Sequence, residues 1–148
     1  MGGVQIYIWS YSRLRQSILA IGKGLLASGL RARDNILLRL GHSVDFPLSF
    51  LCAIAAGLVP VPTSAQLTSQ EIGTLLKDPD PAVVLLDPSV PCPTNIGCRV
   101  ITLSNLRLMR SLAPATFVLA DPNRLTYGIY TSGTSGGPRA IEHAHCAI

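Results

Sequence analysis

The stretch Leu125-Thr126-Tyr127-Gly128-Ile129-Tyr130-Thr131-Ser132-Gly133-Thr134-Ser135-Gly136-Gly137-Pro138-Arg139 decides how this chain is read. Leu125 to Ile129 is an apolar run that predicts a buried strand. A loop rich in glycine and hydroxyl groups follows and ends on a cation. Glycines let the backbone turn left-handed and approach a ligand closely. Successive backbone N–H groups in such a turn make a concavity for anions. The hydroxyls of Thr131, Ser132, Thr134 and Ser135 add donors. Arg139 adds a permanent charge on a planar fork that suits phosphate. The loop is built to hold a polyphosphate. It is not a Walker loop, because no Gly-Lys-Ser/Thr follows the first glycine at the required spacing.

With 148 residues the chain is one domain at most, and long enough to bury a core. Apolar residues make up 48% and charged residues 14%, which excludes disorder by composition and suggests surfaces partly covered by something else. The net charge of +4 is mild, and the basic residues Arg13, Arg15, Lys23, Arg31, Arg33 and Arg39 are scattered. No nucleic acid is expected as a partner, since no basic patch carries interleaved aromatics; a nucleotide-sized anion is the more economical one. Cys52 reads as a small core residue. Cys92 and Cys98 have five residues between them, wider than a zinc knuckle, and a disulfide between them is open but not demanded. These cysteines, and an N-terminus without a positive region before an apolar core, place the chain in a reducing cytoplasm. The uncharged run from Phe46 to Gln70 is cut by Pro47, Gly57, Pro60 and Pro62 into pieces too short to span a membrane.

The pattern along the chain alternates. Gln5 to Trp9 predicts a short strand. Ser12 then caps a helix whose Leu14, Ile18, Ile21 and Leu25 form one buried face, with Arg13, Arg15, Gln16 and Lys23 outward. Gly29 ends it. Asn35 to Leu40 predicts a strand, Asp45 to Ala56 a buried helix with Phe46, Phe50 and Ile54 spaced by four, and Leu58 to Val61 a strand. Thr68 and Glu71 make a capping box for a helix that turns Ile72, Leu75 and Leu76 inward. Ala82 to Leu86 is a buried strand, Arg99 to Leu103 another, and Ser104 caps a short helix through Leu112. Strands alternating with helices define an α/β domain with a mainly parallel sheet. Ala140 to Cys146 gathers His143, His145, Glu142 and Cys146. They have the residue types of a zinc site, but a strand followed by a helix start is the plainer reading, and no metal ligand is assigned.

The Tyr130–Arg139 stretch is similar to the phosphate-binding signature of the adenylate-forming (AMP-binding) enzymes: acyl-CoA synthetases, the adenylation domains of peptide synthetases, and luciferases. That signature runs tyrosine, threonine, serine, glycine, threonine, a small hydroxyl residue, glycine, any residue, proline, lysine. Tyr130 to Pro138 match every fixed position, and Arg139 stands for the lysine. Further segments resemble the family in order: Ser10-Tyr11; Ser28 to Ile36, with Arg33 where a glycine is usual; Ala55 to Pro62; and the helix start from Thr68 to Glu71. The family also places a strand after the loop and a histidine where His145 stands, opening a helix.

The resemblance implies a fold and a chemistry. Residues 1–148 are expected to be an incomplete N-terminal AMP-binding domain that ends just after the phosphate loop. Family members activate a carboxylic acid with ATP and Mg2+, forming an acyl-adenylate, and most pass the acyl group to a thiol such as CoA. Thr131, Ser132, Gly133, Thr134, Ser135, Gly136, Gly137, Pro138 and Arg139 are expected to hold the ATP phosphates, with Thr131 close to the magnesium. The adenine, acyl and ribose-binding parts and the mobile-domain lysine of the family are not in this sequence, so no catalytic residue is assigned. The expected function is that of a fragment of a carboxylic acid–CoA ligase, inactive alone. A non-catalytic nucleotide-binding or interaction module and a plain structural piece are the alternatives. The wording after the loop, Pro-Arg-Ala and His-Ala-His, leans toward acyl- or aryl-CoA ligases.

Overall fold

The computed structural model describes residues 6–77, 80–117, 121–131 and 139–147. Its centre is the strand β1 (Asn35–Arg39), flanked in a four-stranded parallel sheet by β2 (Val59–Pro62) and β3 (Val83–Leu86), with β4 (Arg99–Thr102) outside β3. Register pairs Leu37 with Val61 on one side and with Val84 on the other. Side chains alternate across a strand. Ile36, Leu38, Val83 and Leu85 therefore enter one core, while Leu37, Val61 and Val84 enter a second. Both faces are covered, as a parallel sheet requires, and the expected α/β class with a mainly parallel sheet is what forms.

The first core is roofed by α1 (Tyr11–Ala27), α2 (Asp45–Ala55) and α4 (Leu103–Met109), and the second by α3 (Ser69–Leu75). Helix α1 buries Ile21 and Leu25 and leaves Arg13, Arg15, Gln16 and Lys23 at its outer side, with Arg15 and Lys23 exposed. It lies so close to α2 that a Cβ on Gly22 would meet the Cys52 carbonyl oxygen at 3.2 Å. Gly29 follows the helix at φ +97°, the left-handed end its sequence position predicts. The Thr68–Glu71 capping box forms at the start of α3: Thr68 N donates to the Glu71 carboxylate at 2.8 Å, and Glu71 N donates to Thr68 Oγ1 at 3.3 Å.

Several local expectations are corrected. Residues 6–10 form no strand, because no neighbouring strand pairs with them, and Ile6 and Ile8 stay exposed. The cap of α1 is Ser10, not Ser12; Ser10 Oγ accepts from Arg13 N at 3.2 Å. The cap of α4 is Thr102, not Ser104, and that helix ends at Met109 rather than Leu112. In both helices a hydroxyl two residues earlier stands at extended backbone and reaches the first turn. In α2 the fully buried stripe is Leu48, Ser49, Cys52 and Ala53; Phe46, Phe50 and Ile54 are half-buried. Leu125–Ile129 is not in the parallel sheet. It starts β5 (Leu125–Thr131), which pairs antiparallel with β6 (Arg139–Ala144) in a separate two-stranded ribbon, leaving Ile129 exposed.

Among the described residues, two charged side chains are deeply buried. Arg39, at the end of β1, shares the face of Leu37 and is fully covered. Its guanidinium donates to the carbonyls of Pro91 at 2.8 Å, Leu67 at 2.5 Å, Ala65 at 3.4 Å, and Ser64. It thereby ties the segment after β2 to the segment after β3, and burial lowers its pKa from the usual arginine value. Asp45 opens α2 and is ion-paired with Arg107 at 2.8 Å and with Arg110, both near the end of α4. The four cysteines are free. Burial pushes the thiols of Cys52, Cys92 and Cys98 up. Among the described residues no helix is long and apolar enough to cross a membrane.

Arg33 lies at φ +75°, in the left-handed region where a Cβ is strained. Arg33→Gly is therefore expected to raise stability by about 0.5–1 kcal/mol in urea unfolding, the relief being partly offset by the freer unfolded chain. Arg39→Met strands four carbonyl acceptors and is expected to cost about 2–4 kcal/mol. Arg39→Lys should recover less than half of that loss, since one ammonium cannot span both segments.

Candidate functional site

The antiparallel ribbon positions the loop. β5 and β6 pair from Leu125↔Ala144 to Thr131↔Arg139, so the two residues that bound the predicted phosphate-binding segment face each other as the final rung. Ser132, Gly133, Thr134, Ser135, Gly136, Gly137 and Pro138 lie outside the described residues; the structure brings together Thr131 and Arg139, the two ends of the segment. A hairpin of two strands is marginal by itself. This one is anchored on α2: the Tyr127 ring lies 5.5 Å from that of Phe50, and His143 stacks on Tyr127 at 4.6 Å with the planes 15° apart. Arg124 donates to the Ile54 carbonyl at 3.3 Å, at the far end of α2.

Both histidines of this segment have partners within the fold. His143 is stacked on Tyr127, and His145 Nδ1 lies 3.5 Å from an Arg124 nitrogen. His145 N donates to the Arg124 carbonyl at 3.0 Å and Cys146 N to the Pro122 carbonyl at 2.8 Å, which folds the short 3-10 turn His145–Ala147 back on the turn before β5. The expected strand, followed by a helical turn at His145, is present. Among the described residues no group of three or more His, Cys, Asp or Glu side chains is placed to hold a metal ion.

Tyr130, the residue before Thr131, packs toward the second core and walls a cavity of about 370 Å³. The other walls come from Leu40, His42 and Phe46 after β1, and from Pro62, Ser64 and Ala65 at and after the end of β2. These are the carboxyl ends of parallel strands, where α/β sheets place ligands. Ser64 and Ala65 are also acceptors of Arg39, so the buried guanidinium shapes one wall. Nearby, the Asp87 carboxylate at the end of β3 accepts from Ser89 N at 2.9 Å and Ser89 Oγ at 2.7 Å, which holds its carboxyl below the usual range. By sequence Arg39 is one of several scattered cations. Its position inside the apolar run Ile36-Leu37-Leu38-Arg39-Leu40 is the signal that sets it apart. The Asp45–Arg107–Arg110 cluster has no such signal, because its partners lie more than sixty positions apart.

A parallel α/β sheet places ligands at the carboxyl ends of its strands, and here that edge meets the hairpin whose last rung bounds the glycine- and hydroxyl-rich segment. Residues 4–148 match the AMP-binding enzyme family, and the chain belongs to it. It is 30% identical to a 4-hydroxybenzoate–CoA/benzoate–CoA ligase of Rhodopseudomonas palustris, over 92% of this chain and 28% of that protein. It is 29% identical to the phenyloxazoline synthase MbtB of Mycobacterium tuberculosis, over 93% of this chain and 10% of that one. ATP-bound MatB of Rhodopseudomonas palustris superposes with a TM-score of 0.80 at 24% identity, covering 92% of this chain and 29% of the other. A benzoate CoA ligase of Burkholderia xenovorans gives 0.78 at 22%, covering 93% and 29%. The chain thus spans under a third of the length of these relatives.

The tilted contact between Tyr127 and Phe50 holds the ribbon against α2. Tyr127→Ala is expected to speed amide hydrogen exchange across residues 125–131 and 139–144 by about tenfold, with the amides of β1 and β3 unchanged.

Proposed function

We propose that this chain supplies the phosphate-holding part of an ATP-dependent carboxylic acid–CoA ligase. The observation that carries the reading is the Thr131↔Arg139 rung, which closes the family's signature loop on a hairpin beside the cavity at the carboxyl edge of the sheet. The donor set fits a polyphosphate: four hydroxyls, a run of backbone N–H groups, and a guanidinium. ATP is the proposed substrate, and its bound Mg2+ supplies neutralisation of the phosphate oxygens. Loop donors from Thr131 to Ser135 orient the β- and γ-phosphates. Arg139 stabilises the charge that grows on departing pyrophosphate, and such preorganised donors lower the barrier without reorganising. The acid to be activated and CoA as acceptor belong to the proposed whole reaction, in the cytoplasm. The relative named for hydroxybenzoate and benzoate supports an aryl acid.

Residues 1–148 are proposed as an incomplete N-terminal AMP-binding domain that binds nucleotide without adenylating an acid. Equilibrium dialysis of the 148-residue chain with labelled ATP and Mg2+ tests the first half. Binding should weaken about tenfold in Arg139→Ala and be largely kept in Arg139→Lys. If the chain takes up no ATP, or if Arg139→Ala binds as the parent does, the phosphate-site reading fails. ATP–pyrophosphate exchange with benzoate tests the second half: exchange by the 148-residue chain alone overturns its proposed inactivity.

A further inference from the structure

Trp9 is the chain's single tryptophan. Two guanidiniums converge on its ring: the central carbon of Arg13 lies 4.5 Å from the ring centre and that of Arg110 5.6 Å. The ring attracts each cation, but the cations repel one another. Asp45 offsets only part of this charge, since it is shared between Arg110 and Arg107. Among the described residues no carboxylate pairs with Arg13, and Arg110 Nε is buried without an acceptor. The same three side chains wall a cavity of about 450 Å³, which Gln16, Ser17 and Leu112 help to complete. That volume lies within the range of about 300–1,000 Å³ typical of small-molecule sites and far exceeds a single water of about 30 Å³. The cavity shares no residue with the phosphate loop or with the cavity beside Tyr130.

We propose that this cavity between the start of α1 and the end of α4 binds a small organic oxyanion, a phosphate or carboxylate on an apolar stem. The oxyanion accepts from the Arg13 fork and lies in the field of the Arg110 guanidinium, and so relieves the repulsion between the two cations. The indole edge, Leu112 and Pro114 receive the stem, and Gln16 and Ser17 offer polar contacts at the side. The proposal is independent of the ligase reading, because it rests on none of the same residues.

Trp9 reports on its own site. Its fluorescence in the 148-residue chain is titrated at constant ionic strength with phenyl phosphate, benzoate and inorganic phosphate in separate arms. Saturable quenching by an aryl anion is expected, and the tighter of the two names the head group. Arg13 is exposed and outside the core, so Arg13→Gln should keep the far-ultraviolet circular dichroism while weakening the binding about tenfold. Arg15→Gln removes the same charge from a neighbouring exposed position that does not wall the cavity, and should leave the binding unchanged. Quenching that is linear rather than saturable overturns the site, as does a constant unaltered in Arg13→Gln or equally weakened in Arg15→Gln. Inorganic phosphate binding as tightly as phenyl phosphate overturns it too, for it reduces the site to an adventitious ion only.

Discussion

The structure depends on the burial of β1 on both faces. Ile36 and Leu38 fill one core and Leu37 the other, and all three are fully covered. A strand in this position must be flanked on both edges and roofed on both sides, because its backbone groups are paired only by neighbouring strands. That requirement sets β2 and β3 beside it, α1, α2 and α4 above, and α3 below. Arg39 continues the same alternation one step past Leu37. A charge is costly there unless every donor finds an acceptor. The segments after β2 and β3 bring four carbonyls to it, so the cost of burying a cation is turned into a tie between two loops.

That tie matters because the tied segments make the carboxyl edge of the sheet. The ribbon of β5 and β6 lays Tyr130 against this edge, and the predicted phosphate segment begins at the next residue. The ribbon has no third strand among the described residues; the contact of Tyr127 with Phe50 and the bond from Arg124 to the Ile54 carbonyl tie it to α2. Chemistry on a phosphate needs donors fixed before the charge develops. A rung of paired backbone at Thr131 and Arg139 is a firmer base for such donors than two free loop ends.

Two departures from the family pattern differ in their physical consequence. Arg33 replaces a usual glycine, and the backbone there is left-handed at φ +75°, so the turn keeps the geometry that glycine ordinarily supplies and carries the strain of a Cβ. Arg139 replaces a usual lysine. It keeps the positive charge but spreads it over a fork that prefers bidentate partners. The first change is a matter of stability, the second of how an anion's oxygens are met.

Much of the fold was legible in the sequence. The apolar runs at Asn35–Leu40 and Ala82–Leu86, the periodicity of Leu14, Ile18, Ile21 and Leu25, and the Thr68–Glu71 box each identify their element, because local spacing and capping are properties of neighbours in the chain. The family signature from Tyr130 to Arg139 was legible for the same reason. Long-range pairing was not. Nothing local says that residues 6–9 lack a partner strand, that Leu125–Ile129 leaves the parallel sheet for an antiparallel ribbon, or that Asp45 meets Arg107 and Arg110. The sequence by itself determined the alternation of strands and helices, the family, and the donor set of the loop. Tertiary structure alone decided which cations are buried, which aromatic rings carry the ribbon, and that two guanidiniums share one indole, because those facts depend on distances between residues that the chain order keeps far apart.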